Sequence, residues 1–299
     1  MLKKRKIWYA VSVICLFLSI VCFLAGRSFH RKGNNFFRNV ALEAEGEPFE
    51  FPWIKSFFTE KPNENNVEEP AKKATSCTVW TELKNEPIFE DFSGRSCNAD
   101  VIAICGSSCN LIPFGKNLTK EDSSGCIIGK ELAEKLFGHR QAEGKELLWN
   151  GQKWTVRGIV SAPSDLLIVE AFKIADQISF DRISLSLEKG EDRQLKGENF
   201  VSQYGVSAHV LRFDYLGSLS WVSEMIPGKW SDFDGWKQNF KEHKKAEELA
   251  ENAKKSAMES LGLEDWKRGK QLVYGAILFL IAAVFAAPDS LLAGFSHVV

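Results

Sequence analysis

Apolar positions form two unbroken runs near the ends of the chain, with a long patterned stretch between them. The first run, Ile7 to Gly26 (IWYAVSVICLFLSIVCFLAG), holds about twenty residues without a charge, enough for a helix across a ~30 Å hydrocarbon core. The second begins at Leu272 (LVYGAILFLIAAVFAA) and stops at Pro288. It is about sixteen residues long and marginal alone, and the polar-poor stretch Leu291 to Val299 extends it. These runs predict transmembrane helices over 7–26 and 271–288, with a basic N-terminus at 1–6 and a short tail at 289–299. A cleaved signal peptide is the rival for the first run. The run is longer than a signal core, and Phe23 and Ala25 stand where two small residues are wanted, so the reading is an uncleaved anchor.

Between the runs, periodicity changes several times. Residues 27–75 read as a juxtamembrane segment and linker, with an aromatic phrase at Phe49 to Phe58 and an aperiodic polar stretch from Lys61 to Thr75. From 76 to 230 the pattern is that of a folded domain. Ala99 to Cys105 is a short apolar run bounded by polar residues, as for a buried strand, and Cys126 to Ile128 resembles it. Lys130 to Phe137 places Leu132, Ala133, Leu136 and Phe137 on one helical face, and Gly138 follows as a C-terminal stop. Glu146 to Trp149 and Lys153 to Ile159 flank Asn150-Gly151, a strong hairpin signal because a type I′ turn needs positive φ at both central residues. Ile178 to Leu187 alternates like a strand. The fold class predicted is α+β. Residues 233–264 predict one long charged stalk helix with a thin stripe of Phe240, Ala246, Leu249, Ala253 and Ala257, and a short junction before Leu272.

Charge narrows the reading only partly. The net charge is −1, with 26 % charged and 44 % hydrophobic residues, so no global field points to nucleic acid. Lys3, Lys4, Arg5 and Lys6 favour a cytoplasmic N-terminus. Arg27, Arg31, Lys32 and Arg38 after the first run, and Lys267, Arg268 and Lys270 before the second, offset them, so charge alone leaves orientation open. Of seven cysteines, Cys15 and Cys22 lie in the first run, and Cys77, Cys97, Cys105, Cys109 and Cys126 in the domain. Cys105 and Cys109 approach a metal-ligand spacing, but no second pair or suitable His follows. The domain cysteines read as buried thiols, or one or two disulfides in an oxidising compartment.

No catalytic constellation emerges, and no catalytic, cofactor-binding or metal-binding residue is assigned. Glu121-Asp122 reads as a turn, His139-Arg140 as cations at a helix end. Ser107 and Ser108 lack a nucleophile elbow, and no phosphate loop is present. The chain reads as a non-enzyme without cofactors.

The block Gly115 to Pro163 carries a resemblance. Gly115, Glu121-Asp122, the strand, Leu132-Ala133, Leu136-Phe137-Gly138, Gly144-Lys145, Asn150-Gly151 and Trp154-Thr-Val-Arg-Gly-Ile-Val follow in the order seen in the MacB-like periplasmic core domain. That domain lies between the first two membrane helices of FtsX-type ABC transporter permeases. The resemblance implies an extracytoplasmic domain over 76–230 in a multi-pass protein of a bacterial cytoplasmic membrane. It implies partners too: a separate ABC ATPase, further permease subunits, the lipid bilayer, and a homo- or hetero-dimer. Family permeases carry four membrane helices, whereas this chain shows two runs in a shortened form. A permease-like component of a transport or mechanotransmission system is therefore the expectation, with a stand-alone anchored interaction or sensor protein as the alternative.

Overall fold

The computed structural model describes residues 2–59, 76–92, 94–113, 115–161, 165–217 and 233–286. The expected linker at 61–75, residues 218–230 of the expected domain, and the tail at 289–299 lie outside them. Contacts divide the chain into two compact units, Met1–Asn34 with Gly262–Val299, and Asn35–Leu261.

The second unit is a mixed α/β fold. Among the described residues nine strands make one sheet: β1 (Asn39–Ala44), β2 (Cys77–Glu90), β3 (Ser96–Gly106), β4 (Gly125–Gly129), β5 (Glu146–Trp149), β6 (Gln152–Val160), β7 (Leu166–Glu170), β8 (Arg182–Ser186) and β9 (Ala208–Leu211). Their order is β3-β7-β4-β6-β5-β2-β8-β1-β9, and β2 also pairs with β3. The long β2 thus closes a ring of six strands and passes three more to one side. The β3–β7 and β4–β6 pairs are parallel and the remaining pairs antiparallel.

Local signals explain several elements. The helix Lys130–Phe137 ends on Gly138 at φ 76°, whose N–H bonds the Glu134 carbonyl. Asn150 and Gly151 take φ 50° and 69° between β5 and β6, the turn that Asn-Gly favours. The aromatic phrase forms a helix, Phe51–Thr59, burying Ile54, Phe57 and Phe58. β1 lies within the segment read as juxtamembrane, yet it is an interior strand, pairing Leu42 with Ile183 and Val210.

Both faces of the sheet are covered. Along β3, Val101, Ala103 and Cys105 enter the main core, while Ile102 and Ile104 enter a second cluster on the other face. That second cluster also takes Trp80, Ile127, Leu166 and Ile168, and it is completed by Ala257, Met258 and Phe36. Residues beside the two long helices' ends are therefore part of the sheet's packing.

The charged helix differs from its expectation. It runs as Phe233–Asn252, stops, and a second helix, Ala257–Ala286, begins four residues on. The interruption falls at 253–256, and the expected junction at 262–270 is helical throughout. Ser256 and Glu259 account for this. Glu259 N–H donates to Ser256 Oγ (3.1 Å), and Ser256 N–H donates to Glu259 Oε2 (2.9 Å). That reciprocal capping box starts a new helix in spite of good helix formers on either side. The buried residues of the first of these helices are His243 and Ala250, while Phe240 and Leu249 are over a third exposed.

For the text below, the helices are α1 (Leu2–Phe36), α2 (Phe51–Thr59), α3 (Lys130–Phe137), α4 (Arg193–Tyr204), α5 (Asp214–Gly217), α6 (Phe233–Asn252) and α7 (Ala257–Ala286).

Candidate functional site

The residues weighed as candidate chemistry do not converge. Asp122 receives Arg157 through two hydrogen bonds, Nε at 2.8 Å and Nη2 at 3.1 Å, which fixes a turn. Arg140 pairs with Glu134. Ser107 caps a short 3-10 turn at Ser108–Asn110. Cys77, Cys105 and Cys126 are buried, and burial pushes all three thiols up. Among the described residues no group of three or more metal-ligating side chains comes together.

The structure instead concentrates buried charge where the second unit holds the ends of the long helices. Arg182, on β8, is 3 % exposed. Its Nη1 donates to the Lys254 carbonyl (2.7 Å) and its Nη2 to Glu259 Oε1 (2.5 Å). Its guanidinium lies 4.9 Å from the Trp80 ring centre and 5.6 Å from that of Phe213. Glu82, on β2, accepts the Ala257 N–H at the start of α7 (3.0 Å), and its own carbonyl accepts Lys254 Nζ (3.2 Å). Three donors at the start of α7, the N–H groups of Ser256, Ala257 and Glu259, are thus met by Glu259, Glu82 and Ser256, two of these acceptors being carboxylates at the positive end of the helix dipole.

A second, half-buried arginine serves the exit of α1. Arg193 opens α4, where Asp192 caps the helix by accepting the Leu195 N–H. Its Nη2 donates to the Phe37 carbonyl (2.9 Å), and its Nη1 donates to that of Asn39. Burial pulls the Arg193 pKa down, with Asp214 opposing. The two arginine sites join through Phe213, whose ring is 5.6 Å from Phe37 and faces Arg182. A contiguous joint therefore runs from Phe37 through Phe213 and Arg182 to Glu259. The network is only partly satisfied: among the described residues Arg182 Nε and Glu82 Oε2 have no hydrogen-bond partner, although Lys84 Nζ lies 3.1 Å from Glu82 Oε2.

The first unit has its own regularity. Ser12, Ser19, Gly26 and Gly33 fall seven residues apart on α1, as do Gly262, Gly269, Ala276 and Ala283 on α7. The structure pairs them in antiparallel register. Ser12 Oγ donates to the Ala283 carbonyl (2.9 Å) and Ser19 Oγ to that of Ala276 (2.8 Å). A Cβ placed on Gly26 would lie 3.0 Å from the Gly269 carbonyl oxygen, and one on Gly33 2.9 Å from that of Gly262 and 2.4 Å from Trp266 Cδ1. Small residues let backbones approach where no hydrophobic force drives helices together, and serines add hydrogen bonds across the seam. A seven-residue period is that of helices which supercoil with left-handed twist. Trp266 closes this end, donating from Nε1 to Asn34 Oδ1 (2.7 Å).

This seam sets a test. Gly33→Leu is expected to lower the full chain's thermal midpoint in detergent, since overpacking a tight contact costs about 1–3 kcal/mol. Gly275→Leu, at a helical glycine with open space around its Cβ position, should leave the midpoint in place. Equal midpoints for the two variants would mean that α1 and α7 are not packed on this seam.

The chain is a mixed α/β domain carried between two helices, each long and apolar enough to cross a membrane. No family model and no curated protein matches it. Among solved structures, it is similar to the periplasmic region of MacB from Actinobacillus actinomycetemcomitans, at 14 % identity and a TM-score of 0.42, over 65 % of this chain and 94 % of that one. It is also similar to the extracellular domain of the noncanonic ABC-type transporter YknZ from Gram-positive bacteria, at 15 % identity and a TM-score of 0.40, over 58 % of this chain and all of the other.

Proposed function

We propose that this chain is a permease-like component of a bacterial ABC transport or mechanotransmission system, working with a separate ATPase and with its domain outside the cytoplasmic membrane. The observation that carries the reading is the buried joint. Within the folded unit, arginines bind the chain just after α1 and the first residues of α7, an arrangement that a mere tether would not need. The ordered block Gly115 to Pro163 supports the family assignment.

A second reading, a stand-alone anchored interaction protein, draws on the small-residue seam. The small faces of α1 and α7 are occupied by each other, so those faces need no further permease helix to cover them.

Two measurements on the intact protein test the proposal. Alkaline phosphatase fused after Ser161 should be active in a bacterial host, as for an outer domain. Full-length protein isolated from native membranes in mild detergent should bring down a phosphate-loop subunit in stoichiometric amount, with vanadate-sensitive ATP hydrolysis. A silent phosphatase fusion refutes the outer placement. Intact protein without an ATP-hydrolysing partner refutes the permease reading and favours the second one.

A further inference from the structure

Six cations ring one level of the first unit. Arg27, Arg31 and Lys32 on α1 and Lys267 and Arg268 on α7 are exposed, and Lys270 is half-buried. The seam fixes their level, because Gly26 meets Gly269 and Gly33 meets Gly262. Residues between 26 and 33 therefore lie beside residues between 262 and 269, and Lys270 follows directly after Gly269 at the edge of this level. Against these six stand Glu264 and Asp265, of which Glu264 is taken by Arg268 at 2.5 Å.

Position and chemistry agree on the partner. The collar begins where the apolar runs end, at Gly26 and Leu272. Its seven residues of helix span roughly 10 Å at 1.5 Å per residue. The polar layer on one side of a bilayer is about 5–8 Å deep, so the collar and its long side chains match the headgroup zone. The helix dipole explains little of it. Arg31 and Lys32 lie just before the last turn of α1, which holds no basic residue, so they gain little from its negative end. Lys267, Arg268 and Lys270 lie well past the first turn of α7, where the dipole offers them nothing.

We propose that this collar is a docking surface for the phosphate groups of anionic phospholipids in the leaflet that adjoins it. The site is built by both helices and depends on their antiparallel register. It does not depend on which side of the membrane the domain occupies, so it stands or falls separately from the permease reading.

The test uses the full chain in nanodiscs of phosphatidylcholine with about one fifth phosphatidylglycerol, reading the lipids that remain bound after gentle extraction. Wild type should retain phosphatidylglycerol about fivefold or more above its bulk share, falling as salt rises, since exposed charges are screened. A variant carrying Arg27→Gln, Arg31→Gln, Lys267→Gln and Arg268→Gln should fall to the bulk share. A control with Lys116→Gln, Lys130→Gln, Lys145→Gln and Lys189→Gln, all exposed on the second unit, should behave as wild type. A charge-keeping variant, Arg27→Lys with Arg31→Lys and Arg268→Lys, should retain the enrichment even if the neutral variant assembles poorly. Inorganic phosphate added to phosphatidylcholine discs should show no saturable binding, which separates a lipid headgroup from a free anion. Undiminished enrichment in the neutral variant, equal loss in the control, loss in the charge-keeping variant, or saturable binding of inorganic phosphate each overturns the proposal.

Discussion

Arg182→Ala is expected to destabilise the folded unit by about 3–5 kcal/mol, the cost of breaking a buried ion pair by removing one partner. The reason lies in what is left behind. Glu259 would keep its bonds from Ser256 but lose the guanidinium that offsets its burial, and the Lys254 carbonyl would lose its donor. Trp80 and Phe213 would face a cavity where the guanidinium lay. Denaturant unfolding of the full chain in detergent, followed by near-UV circular dichroism, reads the change. Arg182→Met with Glu259→Met removes both charges at similar volume, and it should recover most of the loss, because an apolar replacement of a whole buried pair is often neutral. A double-mutant cycle on alanine variants should give a large interaction energy, since the two side chains share one network. A loss below about 1 kcal/mol in the single variant would match an exposed pair instead and would dissolve the joint as described.

The joint also shows where reading the sequence stops. Arg182 and Glu259 are 77 residues apart, and Phe37 and Arg193 lie 156 apart, so no local pattern connects them. Elements with a signal inside a few residues were legible: the apolar runs, the α3 face with Gly138, and the Asn150-Gly151 turn. β1 was not, because Asn-Val-Ala-Leu-Glu-Ala reads equally as helix, and its strand state comes from β8 and β9 on either side. β7 is a short apolar run, Leu-Leu-Ile-Val, of the kind read elsewhere as a strand. The break before α7 had a readable cue, Ser256 followed three residues later by Glu259, but the helix formers around it carried the reading through. The seven-residue spacing of small residues is present in both runs of sequence. What the sequence alone lacks is the register that sets Gly26 against Gly269 instead of against lipid.

Glu170→Gln is expected to flatten part of the chain's pH dependence. Glu170 ends β7 and is fully buried, with its Oε2 accepting the Phe172 N–H at 3.3 Å and no partner for Oε1 among the described residues. Burial pushes its carboxyl up to about 8, against the bonds from the Phe172 and Gly106 N–H groups and the nearby charge of Lys120. In the unfolded chain the same carboxyl titrates near its ordinary value of 4.5. Below that value both states hold the proton and the group makes no difference. Between the two values only the folded state holds it, so each rise in pH favours unfolding by up to ~1.4 kcal/mol per unit. Above about pH 8 both states have lost the proton and the penalty stops growing. Wild type should therefore lose stability relative to the variant from about pH 5 to about pH 8, by on the order of 3 kcal/mol in total. A glutamine amide aimed into the unpartnered space adds a constant cost, which does not change with pH and so drops out of the slope. The measurement is the denaturation midpoint of both proteins at closely spaced pH values in one detergent. Parallel curves over this range would show that Glu170 is ionised in the folded protein, and that the end of β7 is wetter than the structure has it.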